Sequence, residues 1–117
     1  MTRQSYQGSC QCGSVAYEVQ ADLDETFICN CSRCQRLGFV LTFVPKADFH
    51  LTSDGPVTEY LFNRKQIHHR FCPTCGVESY AFGTGPDGAE VVAVNVNCLK
   101  GVNPRELASQ AVDGASY

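Results

Sequence analysis

The sequence predicts a mainly β domain with little helix, and three observations carry that expectation. Segments that alternate apolar and polar residues recur along the chain, turn-forming residues fall between them, and the two segments with helix signals are too short to organise a core. Ser14-Val15-Ala16-Tyr17-Glu18-Val19 has the period-two pattern of a strand with one buried face. Further strands are expected at 39–44, 58–62, 67–71, 77–82 and 90–96. Asp54-Gly55-Pro56 and Gly85-Pro86-Asp87-Gly88 supply turns, so antiparallel hairpins are expected to join most of these strands. Residues 32–37 are expected to form a short helical turn with Ser32 as N-cap. Asn103-Pro104 is expected to open another, with Asn103 capping and Pro104 at the first helical position.

At 117 residues and 12.8 kDa the chain fits a single domain, 1–117. A domain of that length buries roughly 60–70% of the surface its unfolded form exposes. Its core is expected over about 8–111, with 112–117 as a loose tail. No stretch approaches the roughly 18 apolar residues of a membrane span, and the first residues lack a secretory leader's apolar run, so a cytoplasmic location is expected. In a reducing compartment, eight cysteines point to metal ligation or redox chemistry rather than stable disulfides.

Seven of the eight cysteines fall in three clusters: Cys10 and Cys12; Cys29, Cys31 and Cys34; Cys72 and Cys75. Cys72-Pro73-Thr74-Cys75-Gly76 has the form of a zinc knuckle, in which two thiolates bend around one ion and the glycine accepts the backbone conformation of the turn. A closed tetrahedral site needs two more donors, and Cys10 and Cys12 are the natural pair. That ion would be structural and would clip distant β elements together. The central cluster offers three thiolates and no local fourth ligand, the pattern of a zinc with a position left for water or substrate. Two Zn²⁺ per chain are therefore expected. Cys98 stands alone, either as a fourth ligand closing the central site or as a buried inert thiol. The net charge is −3 with neutral thiols. Seven thiolates on two Zn²⁺ bring it to about −6, which makes nucleic acid a poor partner.

His68 and His69 adjoin the knuckle and would point to opposite faces of a strand, so at most one faces a metal. Phe39, Phe43, Tyr60, Phe62, Phe71, Tyr80 and Phe82 fall on strand positions and are expected in the core.

At Cys10-Gln11-Cys12-Gly13-Ser14-Val15, at the three central cysteines and at Phe71-Cys72-Pro73-Thr74-Cys75-Gly76, the sequence resembles the glutathione-dependent formaldehyde-activating enzyme family, which includes the centromere protein V group. The likeness runs from about 8 to 99. It implies a β-tent fold of packed antiparallel sheets, structural zinc on Cys10, Cys12, Cys72 and Cys75, and a second zinc on Cys29, Cys31 and Cys34 at the active site. It also implies carbon–sulfur lyase activity that joins glutathione and formaldehyde into S-hydroxymethylglutathione. The chain departs from the family pattern at Asn30, where many members carry His, and asparagine cannot shuttle a proton near neutral pH.

The resulting expectation is an enzyme whose central zinc binds a small thiol or its aldehyde adduct. Arg33, Arg36, Arg64 and Arg70 are the candidate clamps for glutathione's two carboxylates. Two other classes fit the cysteines: a non-catalytic zinc module for a protein or chromatin partner, and a thiol redox protein using Cys72 and Cys75. The first calls for a basic or apolar extension, of which this sequence has almost none, and the second for a βαβ setting, which is absent from the expected elements.

Overall fold

The structure, a computed structural model, describes residues 3–62 and 67–116. Among these residues ten strands and one short helix appear in the order β1 (Gln4–Ser9), β2 (Val15–Ala21), β3 (Thr26–Cys29), α1 (Ser32–Leu37), β4 (Leu41–Pro45), β5 (Phe49–Asp54), β6 (Thr58–Tyr60), β7 (His68–Phe71), β8 (Tyr80–Thr84), β9 (Glu90–Asn95) and β10 (Ser109–Val112). The mainly β expectation holds. The strands form a three-stranded sheet in the order β1-β2-β5 and a seven-stranded sheet in the order β10-β3-β4-β9-β8-β7-β6. Every pairing is antiparallel except that of β10 with β3.

The core lies between the two sheets. Alternation along β2 buries Val15, Tyr17, Val19 and Ala21, and these pack with Val44, Tyr80, Val92 and Val94 of the larger sheet. Phe49 joins the layers, its ring 4.8 Å from Tyr17 and 5.0 Å from Tyr80. The Tyr17 hydroxyl donates to the Ser79 carbonyl at 3.0 Å, so the polar end of this deeply buried ring is satisfied.

Several expectations are refined. The 85–88 turn joins β8 to its neighbour β9 as a hairpin, but the 54–56 turn carries the chain from one sheet to the other, because β5 and β6 belong to different sheets. The 32–37 helix is present, yet its N-cap is Cys31, whose sulfur accepts the Cys34 N–H. Asn103 caps a 3-10 turn over Pro104–Glu106, as its side chain and the following proline predict.

Residues 112–116 are not a loose tail. Val112 ends a strand paired with β3, and a 3-10 turn follows at Gly114–Ser116. Asn30 holds that turn: its amide donates to Asp113 at 3.0 Å and its carbonyl oxygen accepts the Ala115 N–H at 2.9 Å.

Candidate metal centres and their cavity

The first centre sits where the sheets meet. The chain turns through Cys10 and Cys12 just before β2, and through Cys72 and Cys75 just after β7. Each turn is closed by a backbone bond, Gly13 N–H to the Cys10 carbonyl at 3.2 Å and Gly76 N–H to the Cys72 carbonyl at 2.7 Å. Gly13 and Gly76 have φ of 84° and 79°, a region that side chains disfavour. All four sulfurs lie within 4.8 Å of one another. Cys12 Sγ is 3.7 Å from Cys10 Sγ and 3.6 Å from Cys72 Sγ. Tetrahedral thiolates at metal–sulfur bonds of about 2.3 Å stand about 3.8 Å apart, whereas disulfide sulfurs stand about 2.05 Å apart. The donor set fits one ion. The Ser14 hydroxyl, 3.3 Å from Cys72 Sγ, is the leading cause that holds this thiol down at about 6, so it favours the ligating form.

The second centre is built from one short stretch. Cys29 ends β3, Cys31 caps α1 and Cys34 lies buried in its first turn. The three sulfurs again lie within 4.8 Å of one another, and no fourth His, Cys, Asp or Glu among the described residues joins them. Burial works against ionisation of Cys31, but backbone N–H groups, first that of Cys34 at 3.3 Å, outweigh it and bring the thiol below its ordinary value. Burial pushes Cys34 up. The C-terminal strap touches this cluster through Gly114, where a Cβ would come within 2.4 Å of Cys29 Sγ. Cys98 belongs to neither group. Burial, with smaller contributions from Cys10, Cys75 and Glu78, raises it to about 12, the behaviour of a neutral interior thiol.

A cavity of about 550 Å³ opens beside the central cysteines, all three of which line it. Its floor follows from strand register. Phe43, Ala93, Ala81, His69 and Tyr60 are paired in sequence across β4, β9, β8, β7 and β6. They share the sheet face opposite Val44, Val92 and Val94. Two alanines in the middle of this row leave the hollow. Phe43 and Phe62 are cavity walls, a correction to their expected place in the core, and Tyr60 is exposed rather than buried; Phe39 and Tyr80 are buried as expected and also line the cavity.

His68 and His69 do face opposite ways. His68 is half-exposed, with Nδ1 3.0 Å from Glu59. His69 is 5% exposed and lines the cavity; its Nδ1 stands 2.8 Å from Glu78 Oε2, and its ring stacks on Phe62 at 5.3 Å. Glu78 accepts from Arg33 Nη2 at 2.6 Å and Nε at 3.1 Å on its other oxygen. Glu78 was not singled out from the sequence, although an acid inside the expected 77–82 strand is a signal that such a partner exists.

A family model described as "Glutathione-dependent formaldehyde-activating enzyme" matches residues 5–112. The chain belongs to this family. It is also similar to a solved crystal structure of a Rhodobacter sphaeroides protein, at 31% identity and a TM-score of 0.80, covering 91% of this chain and 99% of that one.

For a member of the glutathione-dependent formaldehyde-activating enzyme family, the arginine geometry is informative. Arg33 is committed to Glu78 and lies 4.8 Å over the Tyr60 ring. Arg36 donates to the Ser32 carbonyl of its own helix at 2.9 Å. Arg70 is bonded to Glu59 at 3.1 Å and lies 4.6 Å over Phe82. None of the three lines the cavity. Each of these three guanidinium groups already has a partner and stands off the cavity lining; Arg64 lies outside the described residues. No helix among the described residues is long and apolar enough to cross a membrane.

Proposed function

We propose that the protein is a zinc-dependent carbon–sulfur lyase acting on the adduct of a small thiol, such as glutathione, with an aldehyde, S-hydroxymethylglutathione being the family's example. The observation that carries this reading is the contrast between the centres: four sulfurs gather at one and would close it around an ion, while at the other three sulfurs on a cavity wall are joined by no fourth ligand residue among the described residues. Cys10, Cys12, Cys72 and Cys75 would hold the structural ion, and Cys29, Cys31 and Cys34 the second. Zinc bound there supplies a Lewis acid that favours the thiolate form of an incoming thiol. Cys31, held below its ordinary value by the first turn of α1, favours loading of that centre. Asn30 takes no part in proton transfer on this reading; its amide secures the C-terminal strap. A reducing, cytoplasmic setting suits eight unpaired cysteines.

The test is metal analysis together with exchange kinetics. Purified protein is expected to carry close to two zinc ions per chain and to accelerate glutathione–aldehyde exchange above the spontaneous rate. Two bound zincs without exchange for any thiol or aldehyde would leave the non-catalytic binding module as the better reading. A folded chain without metal would remove both.

A further inference from the structure

The cavity beside the central cysteines has an unusual division of polarity. Phe27, Phe39, Leu41, Phe43, Phe62 and Val112 wall it, over a floor hollowed at Ala81 and Ala93. Among the described residues no lysine or arginine lines it. Glu78, the acid on its wall, is compensated by Arg33. A carboxylate buried here would lack a counter-charge, which is costly in such surroundings. The described lining therefore suits an apolar group better than glutathione's charged ends, and a single-carbon aldehyde would leave most of the walls untouched.

One polar atom of the cavity lining has no hydrogen-bond partner among the described residues. His69 Nε2 is fully buried and makes no hydrogen bond among the described residues, while Nδ1 of the same ring is held by Glu78. A carboxylate at Nδ1 keeps the proton of the neutral ring on that nitrogen, which leaves Nε2 as a proton acceptor. An unpaired buried ring nitrogen on an apolar ligand cavity marks the place where the ligand's own polar atom belongs.

We infer that the cavity takes an aldehyde with an apolar substituent, aromatic or branched, and that His69 Nε2 handles the proton at its carbonyl oxygen. This deepens the carbon–sulfur reading and rests on it. In the forward direction Nε2 takes the proton from the incoming thiol. The sulfur then adds to the carbonyl carbon, the carbon–oxygen π pair moves to oxygen, and oxygen takes that proton from Nε2–H. Reversal breaks the carbon–sulfur bond by the same transfers, so no further reactant enters. Glu78 is a positioning residue that fixes the ring.

The experiment uses zinc-loaded protein with glutathione and either phenylacetaldehyde or formaldehyde, following exchange by NMR. It also measures binding of the unreactive probe 2-phenylethanol by calorimetry. Apolar groups in a fitted pocket contribute at least about 10-fold each, so kcat/KM is expected to be at least about 10-fold higher for phenylacetaldehyde. His69→Gln is expected to lower kcat about 100-fold with KM little changed, while zinc content and melting temperature stay as in the wild type. Equal or faster exchange with formaldehyde would overturn the substrate class and leave the carbon–sulfur reading standing. Full kcat in His69→Gln would overturn the proton role. If no aldehyde exchanges, the carbon–sulfur reading and the proton role both fall, and 2-phenylethanol then decides the rest: binding upholds the apolar ligand class, and its absence overturns it.

Discussion

Replacing Cys72 with serine is expected to unfold the protein or to lower its melting temperature severely. Cys72 is 1% exposed, and with Cys75 it joins the end of β7 to the turn entering β2, the central strand of the other sheet. A closed four-thiolate zinc contributes on the order of 10–16 kcal/mol of apparent binding free energy, while whole domains are stable by about 5–15 kcal/mol. Serine is a poor zinc ligand, and the change leaves three thiolates where four closed the site. The physical consequence is that the clip between the sheets opens and Val15, Tyr17 and Val19 lose their fixed partners. Thermal melts with parallel zinc analysis check this. A variant that keeps both its melting temperature and its structural zinc would mean that this centre does not hold the fold.

Cys31→Ser is expected to do the reverse, abolishing carbon–sulfur exchange while the melt changes little. Cys31 caps α1 by accepting the Cys34 N–H at 3.3 Å, and serine is among the preferred N-caps, so the helix keeps its start. The cluster itself lies within six consecutive positions and spans no pair of sheets. What the variant loses is one of three sulfurs, so the second zinc should leave and the zinc content should fall from two per chain to one. Exchange rates, melts and metal content on the same preparation test all three consequences. Retained exchange with one zinc would place the chemistry elsewhere; a collapse of stability equal to that of Cys72→Ser would make the central site structural as well.

The two cysteine clusters that could hold metal ions were largely legible because ligand chemistry is written in residue type and short spacing, as in Cys72-Pro73-Thr74-Cys75-Gly76. The strands that bury one apolar face, such as β2 and β9, were legible by their alternation. β1 and β5, at the edges of the smaller sheet, and β10, at the edge of the larger, were not, because solvated edges carry polar residues on both faces; five of the six residues of β5 are exposed. β3 was not legible either, its four residues being too few to show an alternation. The cavity could not be read, since it depends on register that brings Ala81, Ala93 and His69 into one row across three strands. The trio of Arg33, Glu78 and His69 was equally hidden, Arg33 lying 45 positions from Glu78 and His69 nine, across the Cys72–Cys75 turn. The strap over Gly114 looked like a loose end because small polar residues resemble a loop, and its anchor, Asn30, lies 83 positions from Asp113.

The most direct measurement of an open central zinc is X-ray absorption at the zinc K-edge, recorded on two-zinc protein with and without added thiol. One centre of four sulfurs and one of three predicts an average of about 3.5 sulfurs per zinc, with oxygen completing the shell. Saturating thiol should raise that average to about 4. An average of four sulfurs before any thiol is added, unchanged afterwards, would contradict the open site and the chemistry proposed for it.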